Sequence, residues 1–172
     1  MGKNLKLSVL SLVLLGGSIV LQSTLLRYVA IGGVKPDLSL VILVFIAIRT
    51  GKLFGQYAGF AAGIVEDFLS LPPLGYYALI RTVIGFLYGL LQGAFYINAL
   101  FMPILLVVAA TLIKGLLGFL ISLIFSISAG SVAFFGADFW VEVGYNALIA
   151  PFCFALLNLI KLYKIAEKRG EL

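Results

Sequence analysis

GKLFGQYAGFAAGIVED, residues 51–67, places glycine at every fourth position, Gly51, Gly55, Gly59 and Gly63, and ends that row on the carboxylate Asp67. Beyond the pair Pro72-Pro73 the pattern returns reversed, with Arg81 first and then Gly85, Gly89 and Gly93. Small residues four apart let two helix backbones approach closely in lipid, where packing rather than water exclusion drives association. A strict four-residue spacing drifts about 40° around a 3.6-residue helix at each step, so it suits a right-handed crossing. The two segments therefore read as a glycine-packed membrane hairpin. With Asp67 and Arg81 at a similar depth, the hairpin is expected to be closed by an ion pair between them.

Working outward, composition sets the class. A chain that is 63% hydrophobic and 11% charged has more apolar surface than one small soluble core can bury. It reads as an all-α integral membrane protein, and its 172 residues leave room for a single transmembrane domain over 1–172. The net charge of +5 comes from basic residues at helix ends, which points to positive-inside topology and not to nucleic acid. The chain has no histidine and one cysteine, Cys153, so the commonest general base, the commonest metal ligand and any intrachain disulfide are all missing. Glu66 and Asp67 are neighbours, and neighbours on a helix point about 100° apart, so they cannot act as a facing acid/base pair. No catalytic residue, metal or cofactor is expected.

Apolar runs separated by polar or Gly/Pro breaks give helices near 7–26, 38–50, 53–71, 76–97, 102–127 and 140–162. The second, between Pro36-Asp37 and Arg49-Thr50-Gly51-Lys52, is about a third shorter than a span of roughly 20 residues requires, so a re-entrant segment is the alternative to a full crossing. Charge favours six spans. Lys3, Lys6, Arg49, Lys52, Lys161, Lys164, Lys168 and Arg169 then all face the cytoplasm, as do both termini, and only Arg27 and Lys35 fall in outer loops. Asp37, Asp138 and Glu142 lie near the outer face. The first apolar stretch resembles a signal-peptide core, but Gln22-Ser23-Thr24-Leu25 offers no small-x-small cleavage site, so it reads as a retained anchor.

Lys114 stands inside the fifth apolar run, with three available roles: snorkelling, pairing with a carboxylate of this chain, or meeting an anionic lipid or ligand. Tyr76, Tyr77, Tyr96, Phe134, Phe135, Phe139 and Trp140 read as an interfacial aromatic belt.

The order Gln22-Ser23-Thr24-Leu25, Pro36-Asp37-Leu38, Gly55-x-x-x-Gly59-Phe60-x-x-Gly63-x-x-x-Asp67 and then Gly75 resembles the rod-shape-determining membrane protein family MreD, over about residues 22–93. Glu66 stands where that family more often has an apolar residue. The resemblance implies a bundle of about six transmembrane helices, similar to the substrate-binding component of energy-coupling-factor transporters, in the bacterial cytoplasmic (inner) membrane. It also implies a non-catalytic scaffold of the cell-elongation machinery, supporting lateral peptidoglycan synthesis by binding MreC, a protein with one membrane span. MreB, RodA and a class-B penicillin-binding protein belong to the wider complex. On this reading the two glycine rows, Asp67 and Arg81 are structural or interaction residues, and Gln22, Pro36, Asp37, Phe60 and Gly75 carry the family motif. The rival is a small-molecule-binding membrane component of a transporter, which requires an outward pocket with convergent polar groups. Its candidates are Gln22, Asp37, Asp67, Arg81 and Asp138.

Overall fold

The computed structural model describes residues 2–24, 30, 32–70, 72–94, 101–125 and 136–160, with side chains from Leu7 onward. Its elements are α1 (Gly2–Thr24), α2 (Leu38–Thr50), α3 (Lys52–Leu69), α4 (Tyr76–Gly89), α5 (Phe101–Phe125) and α6 (Ala137–Asn158). Among the described residues three helices are long and apolar enough to cross a membrane: α1 over Leu7–Thr24, α5 and α6. Arg27, Tyr96, Phe134, Phe135, Lys161, Lys164, Lys168 and Arg169 lie outside the described residues, as do the side chains of Lys3 and Lys6.

The short helix α2 is the core of the bundle. Leu40, Val41, Leu43, Val44, Phe45, Ile46 and Ala47 are fully buried, and α1, α3, α4, α5 and α6 all pack against it. A helix that is apolar on every side is built to be surrounded by protein. Thirteen residues make about 20 Å of helix, short of the roughly 30 Å hydrocarbon core of a bilayer. Asp37 caps its start by accepting a 2.9 Å hydrogen bond from the Leu40 N–H. At its other end the Gly51 N–H donates to the Ala47 carbonyl at 2.9 Å. A φ of +88° at Gly51, open to glycine without steric cost, lets the chain reverse at one residue into α3.

Helices α3 and α4 form the most closely packed pair, as the glycine rows predict. A methyl group at Gly55 would stand 2.5 Å from the Gly85 carbonyl oxygen, and one at Gly63 would stand 2.6 Å from the Ala78 nitrogen. At Gly59 it would meet the Arg81 carbonyl, and at Gly89 the backbone of Lys52. All lie well inside the roughly 3.5–4.0 Å at which carbon atoms attract. The zipper thus consists of Gly55, Gly59, Gly63, Gly85 and Gly89. Gly51 closes its far end, with its carbonyl carbon 2.6 Å from where a methyl at Gly89 would stand, although it lies between helices. Gly93 falls outside, a correction to the rows as read from sequence: its φ is +75°, it lies beyond α4, and a methyl there would meet nothing within 4 Å. Helix α4 also ends earlier than expected, at Gly89, and 90–94 form turns. The Tyr88 hydroxyl ties this end to α5 by donating to the Leu106 carbonyl at 2.7 Å.

Candidate functional site

The zipper sets the register of the hairpin, and the register decides where the charges go. With Gly55 facing Gly85 and Gly59 facing Arg81, Asp67 lies two helical turns beyond Gly59, next to the first turn of α4. Its carboxylate accepts from the backbone N–H groups of Gly75 at 2.9 Å, Tyr77 at 2.8 Å and Ala78 at 3.1 Å. These are the amides that the start of a helix leaves without intrahelical partners, at the positive end of its dipole. Gly75, with φ +99°, turns the chain so that its own N–H joins them. The expected ion pair between Asp67 and Arg81 is therefore corrected: Asp67 caps α4 and does not touch the guanidinium. The two residues sit at different depths, because the glycines interlock further along the row than a pairing at the turn assumes.

Arg81 turns instead to two other carboxylates. A side chain on a helix leans toward its N-terminus, which carries this guanidinium up to Glu66, where Nε donates to Oε2, and to Asp37, where Nη2 donates to Oδ1 at 2.9 Å. Its side chain is 2% exposed. Lys114 of α5 takes the second of its three expected roles, donating to Asp37 Oδ2 at 2.7 Å and to Glu142 Oε1 of α6 at 2.6 Å. Asp37 thus joins α2, α4 and α5. Burial works to raise the pKa of this carboxyl, which precedes α2, but the adjacent Arg81 and Lys114 outweigh it and hold the group well below the usual range. Asn146 of α6, fully buried, completes the join: its Oδ1 accepts from the Asp37 N–H at 2.7 Å and its Nδ2 donates to Thr111 Oγ1 at 3.1 Å.

Beside this network, at the same end of the bundle, lies a cavity of about 520 Å³. Gln22 of α1, Asp37, and Asp138 of α6 are in its wall, as three of the five pocket candidates require. Glu66, Lys35, Lys114, Glu142, Tyr76, Tyr77 and Phe139 join them. Tyr76 is buried and meets Tyr77 edge to face at 5.1 Å, so it belongs to the cavity wall and not to an interfacial belt. Of the remaining motif residues, Pro36 is buried at the entry to α2, and Phe60 is exposed on α3, on the surface away from the network.

Sequence reasoning missed Glu66, Glu142, Thr111 and Asn146 as members of this cluster. Spacing carries a signal for the last three: Thr111 and Lys114 are three apart on α5, and Glu142 and Asn146 four apart on α6, so each pair shares one face of an otherwise apolar helix.

A family model described as rod shape-determining protein MreD matches residues 2–160. The chain belongs to the MreD family. No curated protein and no solved structure matches it. The match extends the resemblance from residues 22–93 to nearly the whole chain, α5 and α6 included. Membership implies a part in rod-shape determination, and with three apolar helices it makes the chain a multi-pass membrane protein. The capped α4 and the Asp37–Arg81–Lys114 network lie within the matched residues of this MreD-family chain.

Proposed function

We propose that the chain is a non-catalytic scaffold of the bacterial cell-elongation machinery, supporting lateral peptidoglycan synthesis by binding the single membrane span of an MreC-like protein. Through that partner it joins RodA, a class-B penicillin-binding protein and MreB filaments. It crosses the cytoplasmic membrane six times with both termini inside, so the ionic network and cavity face outward. The family match carries this reading. The packing supports it: the small faces of α3 and α4 are used against each other, while α1, α5 and α6 keep broad exposed apolar surfaces such as Val13, Leu105, Leu116 and Phe152. These suit lipid or a partner's helix. Depletion tests the reading: cells should lose their elongated form while uptake of small nutrients continues.

One observation favours a second reading, a small-molecule-binding component of a transporter. The cavity gathers several polar side chains in a volume usual for small ligands. Normal shape with failure to take up one metabolite after depletion would support it against the scaffold.

A further inference from the structure

Carboxylates outnumber cations in the cavity wall, with Asp37, Glu66, Asp138 and Glu142 against Lys35 and Lys114. Among the described residues, Arg81 and Lys114 serve three carboxylates, those of Asp37, Glu66 and Glu142. Asp37 has both oxygens engaged, by the Leu40 N–H, Arg81 and Lys114. Glu66 uses Oε2 alone and Glu142 uses Oε1 alone, so each has a second oxygen with no protein donor among the described residues. Asp138, exposed at the rim, has no ion pair there either. Gln22 also lines the cavity, and among the described residues its buried Oε1 has no hydrogen-bond donor. Buried acceptors are normally satisfied. Against these stands Lys35, a cation in the wall with no carboxylate partner among the described residues. Tyr76, Tyr77 and Phe139 supply aromatic surface.

We propose that this cavity binds an organic ammonium group. An ammonium carries several N–H donors and no acceptor, which complements the second oxygens of Glu66 and Glu142. Its carbon substituents pack on the tyrosine rings, whose faces attract cations. A bare metal ion fits less well, since among the described residues no group of three acidic side chains is placed to hold one. A free alkyl amine and the headgroup of phosphatidylethanolamine present the same chemistry. The proposal rests on the cavity and stands apart from the choice between scaffold and transporter.

The test uses the full chain in nanodiscs of phosphatidylcholine and phosphatidylglycerol, with 1,4-diaminobutane as the soluble probe and a thermal shift as readout. A parallel preparation contains phosphatidylethanolamine, whose retention is measured by native mass spectrometry. Asp138→Asn and Lys35→Gln change side chains without ion-pair partners among the described residues, and their unfolding midpoints without ligand check that the fold is kept. Each changes one charge near the ligand, and at an effective dielectric between protein and water this amounts to about fivefold in affinity. Binding should weaken in Asp138→Asn and tighten in Lys35→Gln. A diaminobutane response of that sign identifies a free amine, and selective phosphatidylethanolamine retention of that sign identifies the lipid headgroup. The proposal is overturned if neither probe binds, if binding ignores both substitutions, or if inorganic phosphate binds with the opposite signs.

Discussion

Removing charge at Asp67, Glu66 and Arg81 in pairs separates the role of each carboxylate. Arg81 is 2% exposed and its partner Glu66 is 12% exposed, so removing one member of this pair leaves a poorly hydrated charge. Loss of one partner from a buried pair costs about 3–5 kcal/mol. Here Asp37 remains beside Arg81 in the Glu66→Gln variant, so that substitution should cost less, about 1–2 kcal/mol, and Arg81→Gln should cost more. The coupling between them should reach about 1–3 kcal/mol in a double-mutant cycle. Asp67→Asn acts elsewhere. Its carboxylate accepts three backbone N–H bonds, and an amide must turn its NH₂ toward at least one of those donors, which costs about 2 kcal/mol. Since Asp67 and Arg81 share no hydrogen-bond partner among the described residues, their losses should add to within about 0.5 kcal/mol. Reversible unfolding in mixed micelles at increasing dodecyl sulfate measures all three singles and both doubles. A larger coupling for Asp67 with Arg81 than for Glu66 with Arg81 would refute the reasoning.

Other outcomes follow from the packing. Gly59→Ala puts a methyl on the Arg81 backbone and should destabilise the hairpin by about 1–3 kcal/mol, with Gly59→Leu worse. Gly16→Ala, where a methyl meets nothing within 4 Å, should be neutral or stabilising in the same assay. Asn146→Leu leaves the buried Asp37 N–H without its acceptor and should cost about 1–3 kcal/mol of unfolding free energy. After Cys153→Ala, a cysteine introduced at position 136 should react with an impermeant reagent in intact cells and one at position 168 should not, and labelling at 168 would reject the six-span topology.

The hairpin was legible because the glycine repeat is a backbone-packing signal that survives without any knowledge of neighbours. Its register was not. Four-residue spacing says that two rows face each other, but several interlocks satisfy it, and the one adopted moves Asp67 to the first turn of α4 and Arg81 toward Glu66. One end glycine misled for a related reason: Gly93 continues the spacing yet serves a turn, a role that depends on φ and not on periodicity. The boundaries of α2 followed directly from Pro36-Asp37 and Gly51, whereas its place at the centre follows from how five other helices surround it. Lys114 was visible as an anomaly. Its partners were hidden because Asp37 lies 77 residues away in sequence, and single carboxylates near helix ends read equally well as loop charges.

Whether this chain holds the membrane span of an MreC-like partner, as proposed, is open to direct measurement. The direct measurement is purification of the chain, tagged and at its natural level, from membranes solubilised in mild detergent, followed by identification of what accompanies it in stoichiometric amount. A single-span MreC-like protein should accompany the wild type and be lost progressively in Gly59→Ala and Gly59→Leu as the bundle splays. Recovery of a transporter's coupling subunit in its place, with no MreC-like protein present, would contradict the proposal.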